Sequence, residues 1–219
     1  SDTFTLSYWV KRYNISSAGS ANNIFVAGTG GGTYVIVGYR GTDNEFQFEA
    51  AGGNYTGGYM TTNAFYADPS AWYHHVLTFD STDSTQADRI KMYVNGERIT
   101  SLFRDTVTAG IGASEDFSFI NESGVVQAFG GLSGSGHGTE GADLQMAEIV
   151  FNDGQAYGPD SYGETKNGVW IPKDPSGLTF GNNGYYLKFE SSSDLGNDSS
   201  GNNNDFTAAN LAANDQMLD

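Results

Sequence analysis

The chain has 219 residues, with 26 acidic against 10 basic side chains for a formal charge of −16 and a pI near 4.2. A surface of that sign repels phosphate backbones and anionic headgroups, which argues against nucleic acid and membrane partners and suits hard cations such as Ca²⁺. The absence of cysteine removes disulfides, thiolate zinc sites and thiol nucleophiles, and no apolar run approaches the ~20 residues of a membrane helix.

Period-two alternation dominates the chain. Phe4, Leu6, Tyr8 and Val10 fall on one face of an opening strand, with Thr3, Thr5, Ser7 and Lys11 on the other. Trp9 interrupts the polar side, so this strand reads as covered on both faces. Phe46, Phe48 and Ala50 alternate with Glu45, Gln47 and Glu49, the pattern of a strand with one wet face. Residues 72–79 are apolar on both sides and suit a central strand, which places Trp72, like Trp9, in the core. In 89–100, Ile90, Met92 and Val94 alternate with polar neighbours, and Asn95-Gly96 supplies the positive φ angles of a type I′ hairpin turn. Asp153-Gly154, Asn167-Gly168 and Asn183-Gly184 mark further turns beside apolar runs, and 144–151 and 185–189 read as late strands. Residues 130–141 are rich in Gly and Ser and read as a long loop. Helix is confined to short turns at 159–163 and 208–213. Many short strands with 30 glycines between them predict an all-β, two-sheet antiparallel β-sandwich of jelly-roll type. We expect a single domain over 1–219, with 184–219 acting as a closing strand plus linker. Both ends read as cuts or processing points in a longer polypeptide.

The run Ala71-Trp72-Tyr73-His74-His75-Val76, followed by Lys91-Met92-Tyr93-Val94-Asn95-Gly96-Glu97, resembles the laminin-G-like members of the concanavalin A-like jelly rolls. Phe4–Arg12 is similar to the family's early strand, and Met146-Ala147-Glu148-Ile149 to a late one. A narrower likeness, carried by 7–12, 68–74, 153–156, 168–173 and 183–202 in that order, is to laminin-G-like domains in structural proteins of tailed bacteriophages. That resemblance implies a non-catalytic domain on the virion surface (fibre, tail or capsid decoration). Its implied partners are other virion proteins, a homo-oligomer of itself, and host surface glycans. The family usually places a strand before the Phe4-like one, and this chain lacks it. Residues 185–202 either close the sandwich in its place, the reading we favour, or begin a second domain.

Aromatic faces beside polar groups suit sugars, which makes Tyr55, Tyr59, Tyr66 and Trp170 the candidate ligand-binding residues. Asp198, Asn202, Asn204 and Asp205 offer oxygen ligands on a Gly-containing loop and form the candidate Ca²⁺ site. The loop is not an EF-hand, since its sixth and twelfth positions are Asn203 and Ala209. Asp80, Asp83 and Asp88 read as solvated loop acids. His74 and His75 are consecutive on a strand and point to opposite faces, so they do not act together. A retaining glycosidase needs two carboxyls about 5–5.5 Å apart, hence an acid-x-acid strand pattern. Glu45 and Glu49 instead have Gln47 between them, and Glu148 is an isolated acid whose expected partners are Arg, Lys or backbone N–H groups. No catalytic residue is assigned. The alternatives are a secreted bacterial carbohydrate-binding module and, more distantly, a concanavalin-like glycosidase.

Overall fold

Thr3–Arg12 form β1, a central strand whose two alternating faces are both covered. The computed structural model describes residues 2–13, 15, 22–30, 32–40, 44–53, 58–131 and 143–217. Phe4, Leu6, Tyr8 and Val10 are fully buried between the two sheets, and Thr5, Ser7 and Trp9 are buried on the opposite side. Beside β1 lie β6 (Tyr73–Asp80) and β11 (Leu144–Asp153), both antiparallel to it. β7 (Ile90–Val94), β8 (Glu97–Arg98) and β14 (Tyr185–Leu187) complete a first sheet of order β14-β11-β1-β6-β7-β8. The β7–β8 turn is the predicted hairpin, with φ of 49° at Asn95 and 85° at Gly96.

The second sheet contains β2 (Asn22–Gly30), β3 (Thr33–Tyr39), β4 (Glu45–Ala51) and β5 (Gly58–Phe65). With β9 (Leu102–Asp105) and β10 (Val126–Phe129) its order is β10-β2-β3-β4-β5-β9. Its inner face, including Val35, Val37, Phe46 and Phe48, meets Phe4, Phe79 and Phe117 across an aromatic core. A separate hairpin pairs β12 (Gly163–Lys166) with β13 (Val169–Pro172). Two antiparallel sheets packed face to face are the predicted sandwich.

Two local readings differ. Trp72 precedes β6 rather than opening it, and is 38% exposed instead of buried. Glu148 occupies a β-bulge, where the register slips between Ser7 and Trp9 on β1, with φ of 51°. Its carboxylate accepts the Tyr186 hydroxyl rather than Arg, Lys or backbone donors, because the bulge adds one residue and re-aims the side chain. The glycine-rich stretch 130–141 lies almost wholly outside the described residues. No helix among the described residues is long and apolar enough to cross a membrane.

The outer face of the first sheet is not open. Val76, Val150 and Tyr186 on that face pack under Tyr162 and Phe180, with Tyr157 and Leu178 at the margin. The segment is pinned by polar bonds: Tyr157 N–H donates to Thr5 Oγ1, Thr78 Oγ1 to the Tyr157 carbonyl, and the Tyr162 hydroxyl to Asn152 Oδ1. Trp170 on β13 ends this cover. Its Nε1–H donates to His74 Nδ1 at 3.0 Å, and its ring sits against Gly96 and Gly163. A Cβ on Gly163 would stand 2.5 Å from the indole. Gly163→Ala is therefore expected to lower stability by about 1–3 kcal/mol through overpacking. A urea midpoint equal to that of the native chain would show that the indole does not need this seat.

Candidate ligand-binding face

The outer face of the second sheet is built by the alternation in β4. Because Phe46, Phe48 and Ala50 turn inward, Glu45, Gln47 and Glu49 must turn outward. Register then sets their neighbours. Glu49 lies between Ile36 on β3 and Tyr59 on β5, and Gln47 between Gly38 and Thr61. Thr61 faces Arg104 on β9, and Glu45 faces Phe65.

These side chains hold one another. Glu49 accepts the Tyr34 hydroxyl at 2.8 Å and the Gln47 amide at 2.9 Å. Tyr59 interacts with Glu49 on one side, and the Arg104 guanidinium lies 3.6 Å above its ring on the other. Burial and the Glu49 charge push the Tyr59 hydroxyl up from its ordinary pKa, and Arg104 partly opposes them. Arg40 pairs with Glu45 at 3.1 Å and reaches toward the Phe103 ring. Toward β9 the face is apolar and uncovered, since Phe65 is 64% and Phe103 62% exposed. A platform of two open rings beside a hydrogen-bonded polar row can stack on a flat apolar ligand face and bond its hydroxyls.

Of the predicted ligand residues, Tyr59 lies on this face, and Tyr55 lies outside the described residues. Tyr66 is a correction. It is 9% exposed, packed edge-on against Tyr73 and His75, and the chain turns it inward directly after β5 ends. Trp170 is half-buried as the latch over His74, in the β12–β13 hairpin that lies on the first sheet, away from Tyr59. Phe65, Phe103, Arg40 and Arg104 were missed. Their alternation was readable, but whether another segment would cover them was not.

The predicted cation residues do come together, in a different role. Asp198 Oδ1 accepts the N–H groups of Tyr186 and Ser200, and Oδ2 accepts the Asn204 N–H and the Ser200 hydroxyl. These donors outweigh the effect of burial, which pushes the carboxyl up, and hold its pKa below the ordinary value. Asn202 and Asn204 donate their side-chain N–H groups to the carbonyls of Gly181, Asn182 and Gly184, and Asp205 accepts the Asp198 N–H. Four accepted bonds use the lone pairs a cation would need. Among the described residues no group of three or more His, Asp or Glu side chains is placed to hold a metal. The residues fit a turn better than a Ca²⁺ shell.

Two catalytic arrangements can be tested on geometry. Glu45 and Glu49 are four residues apart on one strand, about 13 Å at ~3.3 Å per residue, too far for either glycosidase geometry. Ser7 Oγ stands 2.9 Å from His74 Nε2, both buried. An indole only donates, so Trp170 holds His74 Nδ1 as an acceptor and the ring proton sits on Nε2, facing Ser7. Burial lowers the pKa of His74 to about 3. This imidazole is not placed to take a proton from Ser7. His75 points the other way, into the core, where it shares a 2.6 Å hydrogen bond with the Tyr39 hydroxyl.

Several solved structures resemble the chain distantly. The carbohydrate-binding module (CBM40) of the Ruminococcus gnavus IT-sialidase, bound to α2,6-sialyllactose, is 14% identical with a TM-score of 0.45, over 72% of this chain and 79% of that one. The same module bound to α2,3-sialyllactose is 12% identical with a TM-score of 0.42, over 66% and 74%. The botulinum neurotoxin type G receptor-binding domain is 14% identical with a TM-score of 0.42, over 71% of this chain but only 35% of that one. No curated protein matches the chain. A family model described as the concanavalin A-like lectin/glucanases superfamily matches residues 1–132, more than half of the sequence, and the chain belongs to that superfamily.

Proposed function

We propose that this chain is a non-catalytic module that binds glycans on the β5–β9 side of its second sheet's outer face, the part left open beside the buried Val26–Tyr34–Ile36 cluster. The observation that carries the reading is the pair of exposed rings, Phe65 and Phe103, beside the bonded row Tyr34–Glu49–Gln47. Exposed apolar area next to convergent polar groups marks recognition surfaces. On the outer face of the first sheet, Val76, Val150, Tyr186 and His74 are instead covered by Tyr162, Phe180 and Trp170. The separation of Glu45 from Glu49 and the acceptor role of His74 Nδ1 support binding without hydrolysis.

A glycan array with the full chain tests this. Phe65→Ala and Phe103→Ala are each expected to weaken the best glycan by about tenfold, ~1.4 kcal/mol. Both side chains are exposed, so stability should stay within about 0.5 kcal/mol of native. Retained affinity in both variants would move the site elsewhere.

The setting we propose is the virion surface, with the module displayed on a fibre, tail or capsid protein and repeated by homo-oligomerisation. Support comes from the ordered phage-like segments between Ser7 and Asn202. Repetition would let weak single sites act together on a host surface. Antibody raised against the chain should then decorate intact virions in electron micrographs. Labelling only of bacterial culture supernatant would favour a secreted carbohydrate-binding module instead.

A further inference from the structure

We propose that the open face selects carboxylated sugars, with the Arg104 guanidinium as the anchor for the ligand's carboxylate. This rests on the glycan-binding reading of the same face.

The five arginines of the chain differ in one respect. Arg12 donates to the Tyr66 carbonyl and Asn44, Arg89 to the carbonyls of Asp83 and Ile111, Arg40 pairs with Glu45, and Arg98 with Asp88. Arg104 engages Tyr59, over its ring and by a side-chain hydrogen bond, and is itself exposed. No carboxylate among the described residues lies within ion-pair distance of it.

The acids nearby are all occupied. Glu49 is taken by Tyr34 and Gln47, Glu45 by Arg40, and Asp105 by the N–H and hydroxyl of Thr108. The face therefore offers an incoming ligand no free carboxylate from these three and one guanidinium with no carboxylate partner among the described residues. The Tyr59 contact holds the guanidinium in place, and with five N–H donors against one hydrogen bond to Tyr59 it keeps donors for a fork that matches a planar carboxylate. Phe103, the residue before Arg104, is 62% exposed and supplies the apolar platform beside it. The net charge of −16 opposes any anion at a distance. At physiological ionic strength the Debye length is about 8 Å, so the groups within contact range decide the outcome.

The experiment is calorimetry on the full chain with matched pairs: methyl glucuronide against methyl glucoside, and sialyllactose against lactose. The carboxylated member of at least one pair is expected to bind about tenfold tighter than its neutral counterpart. Arg104→Ala should bring that pair to parity, since only the carboxylated member loses a charge partner with the guanidinium. Arg104→Lys should keep only part of the difference, since a point charge lacks the fork. Equal binding within both pairs by the native chain, or a preference that survives Arg104→Ala, overturns the inference and leaves the glycan face standing. Sulfated lactose binding as tightly as sialyllactose overturns the choice of carboxylate. Binding of no sugar, or binding untouched by Phe65→Ala and Phe103→Ala, sinks the face itself.

Discussion

Acidification from near pH 7 to near pH 5 is expected to destabilise the fold by about 2 kcal/mol through His74 alone. An unfolded imidazole takes its proton near pH 6.5, whereas burial lowers the folded value to about 3. Between those values the unfolded chain holds more protons, so lowering the pH favours unfolding. The contribution is fully present above about pH 6.5, erodes as the pH falls, and is lost near pH 3. His75 acts in the same direction. Burial, the His74 ring and the Arg12 guanidinium all hold it well below its ordinary value. The contacts explain the cost at atomic level. A second proton on His74 must go to Nδ1, where it meets the Trp170 N–H head-on, and the cover of the first sheet loses its latch. Urea titrations followed by tryptophan fluorescence should show the midpoint dropping between the two pH values. Trp170→Phe, which keeps a ring over Gly96 and removes the donor, should lose about 1 kcal/mol near pH 7 and respond less steeply to acid. Equal midpoints for the native chain near pH 7 and pH 5 would refute the neutral-histidine account.

The two histidines also show where sequence reasoning holds and where it stops. Their opposition across β6 follows from strand geometry alone, and the structure places His74 outward and His75 in the core. That Trp170 is the partner of His74 has no local signal, because 96 residues separate them. The same division applies to the ligand face. Alternation in 45–50 predicts a wet face, and Gln47 and Glu49 are partly exposed on it, whereas Glu45, paired with Arg40, is buried at 6% exposure. The wet face becomes a candidate site only because Phe65 and Phe103 stay uncovered beside it, and exposure depends on where distant segments settle. Tyr66 fails for the converse reason. A tyrosine near a Gly-rich turn suggests solvent, but the residue that follows the end of β5 lies with its ring in the core. The bulge at Glu148 was invisible because one extra residue in a ladder leaves no mark on composition.

The loop 198–205 is where a correct reading of residue types leads to a different chemistry. Oxygen-rich side chains on a Gly-containing turn suit Ca²⁺ and backbone N–H groups equally well, and here the backbone takes them. Asp198→Ala would leave the N–H groups of Tyr186, Ser200 and Asn204 without their acceptor, the first of them in the edge strand β14. At about 1–3 kcal/mol for each buried donor left unpaired, with some recovered by water, the loss should reach about 3–5 kcal/mol. Asp198→Asn keeps one acceptor oxygen and turns an N–H₂ toward the donors on the other, so it should fall between native and Asp198→Ala. Calcium separates this account from a cation site. If the carboxylate is saturated by the chain, the melting temperature of the native protein should be the same in EDTA and in millimolar calcium, and calcium should not rescue Asp198→Asn. A calcium-dependent rise in the native melting temperature would mean that a cation displaces those donors, and the turn would then be a binding site after all.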